Sequence, residues 1–365
     1  MPPRVAIMGA GIAGLACAHE LKRHGIQPTV FEIRHRVGER FPNMEGLGGM
    51  LLRPHNDAFA YFERLGFPLR PGTPINRLVV HGPSSRAAFA GNLGFFTPRG
   101  HWPWSWERQM ASQTGAEILF NRNEDWRNLA ADFDRVVVAT GEAVIPESLG
   151  LWRRTVNLHI KGAVLRGRFD PALVEFWFNT LYAKTGYGYL APFDHRYAGA
   201  AVFIPDATPE ELDRYFEVFY RGAELGGEIV LPFKVEGYPV GITTRLRHDK
   251  LLFVGNAGGF IEPAFYFGQF HSLASGVLAG RAIARDLNYE DLVAPHVARI
   301  RRFLPIRRFL DTLDDEDFDR FVRLTNRAAV KTLMFGCNLD WLGLFGRVLS
   351  LLGRYSRDFE SAGRK

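Results

Sequence analysis

Three glycines and one acid carry the first chemistry legible in the chain. Gly9, Gly11 and Gly14 follow a short apolar run at 5–8, and Glu32 stands 18 residues after the last glycine, closing a second apolar run. Gly9 permits a tight turn, Gly11 lets backbone approach a pyrophosphate, and Gly14 lets a helix pack closely on a strand. Ile12 and Ala13 lie with Gly14 at the helix N-terminus, whose free N–H groups suit phosphate oxygens. Glu32 can accept hydrogen bonds from both hydroxyls of a ribose, which disfavours a 2′-phosphorylated nucleotide. Beyond Ile33, the residues Arg36, Gly38 and Arg40 stand four, six and eight places past the acid. An arginine there can reach the pyrophosphate with a fork that matches its oxygens. Together these predict a bound dinucleotide and leave open which one.

Those residues must be positioned by strand, helix and strand over 5–32. Segment 47–50 reads as a loop whose backbone, at Gly49 and Met50, passes close to a flat ring, and 55–65 has helical spacing. Weak alternation over 78–96, with Gly82-Pro83 and Gly91-Asn92, predicts a hairpin. A helix from about 104 to 114 and a strand follow, and a further strand runs into Thr140-Gly141. Four alternating apolar runs between 156 and 204 predict an antiparallel sheet with one face covered. A helix is expected over 209–224. A buried strand at 251–254 then ends in Gly255-Asn256, and a loop holding Pro263 leads to Gly268, Gln269 and a helix rich in small residues.

The chain has 365 residues, 47% hydrophobic and 23% charged, which fits two structural units or one elaborated domain. Its 30 phenylalanines suit a core or an apolar ligand cavity. The net charge of +6 favours anionic partners, but no nucleic-acid motif accompanies it. Cys17 and Cys337 lie far apart with no CxxC pair, pointing to a reducing compartment without structural zinc or disulfides; Cys17, inside the first helix, is expected as a small buried hydrophobe. The N-terminus enters the first strand at once and no run of 18 apolar residues occurs, so neither a signal peptide nor a membrane span is expected, and the expected location is cytoplasmic.

With these pieces placed, the chain resembles FAD-dependent oxidoreductases of the glutathione-reductase/p-hydroxybenzoate-hydroxylase type, and among them the geranylgeranyl reductase family. The resemblance covers roughly residues 4–290. Its strongest part is the second flavin motif, where GNAGGFIEPAFYFGQFHSLASG aligns without a gap through Gly255, Asn256, Gly259, Phe260, Pro263, Gly268, Ser275 and Gly276. It implies FAD, with residue 256 bonded to a ribityl hydroxyl and the helix start at Gly268-Gln269 facing the flavin N1/C2=O edge. It also implies an α/β fold. A Rossmann-like FAD-binding domain, its parallel sheet split over 1–75, 94–155 and 240–292, would carry an inserted antiparallel substrate-binding sheet from 76–93 and 156–239, with a C-terminal helical region at 293–365. Three departures stand out: Asn256 replaces the family's Asp, Tyr266-Phe267 stand where it has Gly-Glu, and 47–49 lacks its cysteine. In the substrate-sheet signature the first Tyr and the Pro remain as Tyr187 and Pro192, while Trp becomes Tyr189 and Phe becomes Ala191. Tyr187 and Tyr189 are the candidate catalytic, pocket-lining residues.

The leading functional expectation is reduction of carbon–carbon double bonds in a long isoprenoid or other apolar lipid, with the electron donor open. A second is a flavin oxidase or dehydrogenase of the amine-oxidase or phytoene-desaturase kind, since EIRHRVGER at 32–40 resembles their motif apart from Glu39. An aromatic hydroxylase ranks below these because ATGEAVIPES lacks the Asp-Gly that its motif needs. The different-class alternative is a non-catalytic FAD-containing binding protein. WLGLFGRVLSLLGRYSR at 341–357 is amphipathic with basic flanks and suggests peripheral membrane contact. ARIRRFLPIRRF at 298–309 reads more as a solvated basic face. His271 is expected to be structural.

Overall fold

The computed structural model describes residues 1–40, 43–53, 57–100, 102 and 104–352. Two sheets organise them. In the first, β13 (Arg247–His248), β14 (Leu251–Phe253), β7 (Arg135–Val138), β1 (Val5–Met8), β2 (Thr29–Glu32) and β6 (Glu117–Phe120) lie side by side in that order. All neighbours are parallel except the edge strand β13. β1 and β14 are buried at every residue, as near-continuous apolar runs in a parallel sheet must be. The helices Ile12–Arg23 and Gln269–Arg285 supply much of that cover. They pack so closely that a Cβ on Gly276 would lie 2.1 Å from the Ala13 carbonyl oxygen.

The second sheet runs β12 (Glu228–Thr243), β8 (Trp152–Arg166), β11 (Tyr197–Pro205), β10 (Tyr187–Pro192), β9 (Leu173–Trp177), β4 (Pro74–His81), β5 (Arg86–Arg99) and β3 (Asn43–Gly48). It is antiparallel except where β4 meets β9. One face packs on the helix Leu212–Gly222 through Leu212, Tyr215, Phe216 and Phe219. The other carries Ile160, Tyr187, Tyr189 and Phe203 against Tyr266, Val322 and Met334. Both faces are therefore covered, not one. The second cover comes from segments far along the chain, which local alternation cannot register.

Several elements differ from expectation for identifiable reasons. Residues 180–183 form a short helix, capped by the Asn179 side chain on Leu181 N, and not a continuation of β9. The sixteen-residue β12 is unpredicted because Pro232, Gly237 and Pro239 interrupt its pattern. It sits at the sheet edge, where a missing N–H is tolerated, and its pairing with β8 shifts register three times. Segment 47–50 is not a loop: it ends β3 and opens the short helix Gly49–Leu52, because β3 is completed by pairing with β5. The second sheet takes in residues 43–48, 74–75, 94–99, 152–155 and 240–243, which the sequence places with the nucleotide unit. Of the helix expected at 55–65, residues 58–64 are helical with Asp57 as cap, while 55 and 56 lie outside the described residues. The C-terminal helices, from Tyr289–Arg302 to Trp341–Leu351, pack against both units. Asp319, for example, accepts from Ser84 N at 2.9 Å and from the Ser85 hydroxyl at 2.6 Å.

Candidate functional site

A cavity of about 600 Å³ opens at the carboxyl ends of β1, β2 and β7. The sheet order places β2 on one side of β1 and β7 on the other, and this topological switch point is where open α/β sheets bind ligands. Two helices, Ile12–Arg23 and Gln269–Arg285, point their N-termini at the cavity, and the residue before each is a glycine, Gly11 and Gly268, with no side chain to cap it.

Gly9, Gly11, Ile12 and Ala13 line it at the first helix. A Cβ on Gly11 would meet nothing within 4 Å, so open space lies before its backbone. Gly14 does not line the cavity. Its Cα abuts the turn instead, where a Cβ would stand 2.0 Å from the Gly9 carbonyl oxygen. Glu32 is buried at the cavity wall, with Ala10 N donating to Oε2 at 2.8 Å and Arg34 N to Oε1 at 2.9 Å. Two fixed amides orient the carboxylate, whose remaining lone pairs are available to ribose hydroxyls.

Ile33, Arg36, Gly38 and Arg40 also line the cavity. Arg36 lies 3.7 Å from Glu39, and Arg40 donates to the Gly141 carbonyl at 2.8 Å and to Glu142. Thr140 and Gly141 complete that wall. At the other end are Gly255, Asn256, Gly268 and Gln269. Asn256 donates to the Tyr238 hydroxyl at 3.3 Å. Gln269 Oε1 accepts from Thr97, which leaves its buried Nε2 without a partner among the described residues. Gly49 and Pro263 are not in the lining, and the Met50 side chain lies outside what the structure describes.

A smaller cavity of about 30 Å³ adjoins, lined by Phe176, Tyr187, Tyr189, Phe203, Tyr266 and Phe267 among others. Glu45 and Tyr238 line both cavities. The Tyr187 hydroxyl donates to the Phe265 carbonyl at 2.6 Å, and that of Tyr189 to the Met44 carbonyl at 3.3 Å. Burial pushes the Tyr187 and Tyr238 hydroxyls above the usual phenol range. Behind this cleft, buried Glu262 accepts from the backbone amides of Ala264, Phe265 and Phe267. Burial still pushes its carboxyl up to about 7 against those amides and Arg307. His271 lies outside both cavities, its Nδ1 3.1 Å from His296 Nδ1. Cys17 is fully buried, and burial raises its thiol.

Sequence reasoning missed Glu45, Arg99, Glu107 and Tyr238. Arg99 bridges Glu45 and Glu107, with Arg99 Nε 2.6 Å from Glu107 Oε1. The three lie on separate elements, β3, β5 and the helix Trp106–Thr114, so no local spacing relates them. Glu262 had a signal: an acid between GGFI and PAF, in a segment otherwise fit only for burial.

The glycine cradle, the oriented acid, two helix starts facing one cavity and an orphaned amide fit a dinucleotide with a second polar ring system. Fold and site together define an FAD-binding protein with a Rossmann-like nucleotide unit. Residues 7–65 match the family model for an NAD(P)-binding Rossmann-like domain. Over 360 residues the chain is 21% identical to digeranylgeranylglycerophospholipid reductase of Methanocaldococcus jannaschii, covering 86% of this chain and 88% of that one. Against digeranylgeranylglycerophospholipid reductase 3 of Methanosphaera stadtmanae it is 24% identical and spans about half of either length, 51% and 50%. A geranylgeranyl bacteriochlorophyll reductase-like protein from Thermoplasma acidophilum shares the fold, with TM-score 0.70, 16% identity and coverage of 95% of this chain and 99% of that one. Within its class the chain is thus similar to proteins named as geranylgeranyl-type reductases.

Proposed function

We propose that the protein reduces carbon–carbon double bonds in an apolar, isoprenoid-type lipid. The observation that carries this is the junction of the two cavities: the nucleotide site meets, at Glu45 and Tyr238, a cleft walled by aromatic rings. Likeness to the digeranylgeranylglycerophospholipid reductase of M. jannaschii along most of both chains supports it. The oxidase reading rests on 32–40, where Arg36 and Arg40 are engaged by Glu39 and Glu142.

FAD, when bound, supplies hydride-transfer chemistry. Glu32 would hold the ribose, and the N-terminus of Ile12–Arg23 would hold the pyrophosphate. Gly268 and Gln269, at the second helix start, would hold the ring end of the cofactor. The aromatic walls exclude water and align an apolar chain. Tyr238 Oη, a polar group at the junction, is placed to hold or pass the proton that saturation requires. A space of about 30 Å³ holds little more than one water, so admitting a lipid moves Tyr266, Phe267 or Phe176 aside.

The lipid would reach the site from a membrane surface. Leu344, Val348, Leu351 and Leu352 are exposed at helical spacing on Trp341–Leu351 and just beyond it, with Arg347 exposed beside them. Leu342 and Leu349 pack inward against Ile306 and Leu310. Such a face suits an anionic lipid surface. Arg299 and Arg307, by contrast, are buried, which removes two arginines from the basic face expected at 298–309. No helix of the described residues is long and apolar enough to cross a membrane.

The test is to reduce the FAD-loaded protein without oxygen and then add polyprenyl lipid, air, or neither. Reoxidation by lipid alone, with the lipid gaining two mass units per bond, is expected. Reoxidation by air with no response to lipid would point to an oxidase, and inertness to both to a binding role.

A further inference from the structure

The head of the helix Gln269–Arg285 is already occupied. Gln269 N, its first amide, donates to Glu45 Oε1 at 3.0 Å. The other Glu45 oxygen accepts from Arg99, and Arg99 also pairs with Glu107. Two carboxylates thus share one guanidinium, and the cluster carries one net negative charge. Glu107 Oε2 is buried with no partner among the described residues. An unobstructed helix start would favour negative charge on a ring edge placed against it. A carboxylate on the same amide removes a donor and adds a like charge.

We propose that Glu45 sets the reduction potential of the bound flavin. Its carboxylate competes with the carbonyl edge of the ring for the Gln269 amide and holds the net charge of the Glu45–Arg99–Glu107 cluster against that edge. Reduction makes the edge more electron-rich, so the cluster disfavours the reduced ring and makes it a stronger donor. That bias suits a protein that must push electrons into an unactivated double bond. The inference rests on FAD filling the larger cavity and not on which lipid is reduced.

The measurement is an anaerobic reductive titration of the FAD-loaded protein against a reference dye. Glu45→Gln keeps the size of the side chain and removes its charge. We expect the variant to hold reduced FAD about tenfold more tightly relative to oxidised FAD, a rise of ~30 mV for a two-electron couple. Glu107→Gln neutralises the cluster without touching Gln269 and should move the potential the same way by less. An unchanged or lower potential in Glu45→Gln overturns the proposal. If that variant loses FAD, an unchanged potential in Glu107→Gln overturns it instead. Wild-type protein that binds no FAD would overturn the cofactor reading and this inference together. Indifference to lipid bears on the substrate alone.

Discussion

Replacing Glu262 with Gln should alter how stability depends on pH. Glu262 is 3% exposed, and its carboxyl is pushed up to about 7 from a reference of 4.5, chiefly by burial. Three backbone amides and Arg307 pull the other way without winning. In the unfolded chain the group ionises near its ordinary value. A raised folded pKa means that stability is fully present below about 4.5 and is lost as pH rises through about 7. A gap of that size corresponds to roughly 3 kcal/mol across the window. Glu262→Gln has nothing to ionise, so its unfolding free energy minus that of wild type should rise by about 3 kcal/mol between pH 4 and pH 8. Urea unfolding of both proteins at several pH values, with FAD fixed at a saturating concentration, reads this directly. Taking the difference cancels every other carboxylate. A flat difference would show that burial does not raise the group. A falling one would show that the amides and Arg307 dominate.

Three further outcomes follow from the same geometry. Gly14→Ala puts a methyl 2.0 Å from the Gly9 carbonyl oxygen and should cost ~1–3 kcal/mol of packing; the FAD-to-protein absorbance ratio should collapse, and an unchanged ratio would refute the cradle. Glu32→Ala orphans the amides of Ala10 and Arg34 and removes the ribose acceptor. At ~1–3 kcal/mol, the dissociation constant for FAD should rise about 10- to 100-fold by fluorescence titration, and equal affinity would exclude Glu32 from the site. Leu344→Ser, Leu351→Ser and Leu352→Ser together change exposed positions only; stability should shift little while flotation with anionic vesicles is lost, and undiminished flotation would sink the membrane-facing role.

How far the sequence reached depended on whether a signal was local. The β1–helix–β2 unit spans 28 residues, and Gly9, Gly11, Gly14 and Glu32 act within it, so its fold and its ligand class were both readable. The strand and helix around Gly255 and Gly268 were readable for the same reason. β12 was not, because an edge strand tolerates the prolines that normally argue against one. The Glu45–Arg99–Glu107 cluster was not, because three elements meet only after both sheets have formed. Arg307 misled in the other direction: five arginines in twelve residues read as a wetted surface, yet this one is 2% exposed. Composition alone cannot tell a solvated guanidinium from one whose donors are claimed by the Ala264 and Thr185 carbonyls, the Tyr266 hydroxyl and the Asp311 carboxylate.

Arg307 also explains how the chain holds a tyrosine at position 266 in the wall of the smaller cavity. Tyr266 stands where the resembling family has glycine, and its φ of +67° is one that glycine adopts freely and tyrosine adopts at roughly 1–3 kcal/mol. What holds it is distributed: Tyr266 N donates to the Glu262 carbonyl, and Arg307 Nη1 donates to the Tyr266 hydroxyl at 2.9 Å and to the Ala264 carbonyl at 3.2 Å. The ring then stacks with Tyr187 and Phe203, at centroid distances of 6.2 and 6.0 Å. Arg307 belongs to the helix Leu304–Leu310, well beyond the flavin motifs at 5–40 and 255–276. The C-terminal region is thus part of the site's construction. It fixes a bulky ring in the wall of the smaller cavity and narrows it. Substrate choice in this protein should accordingly depend on Tyr266 and on the distant arginine that holds it, more than on Tyr187 or Tyr189, whose hydroxyls are already committed to backbone carbonyls.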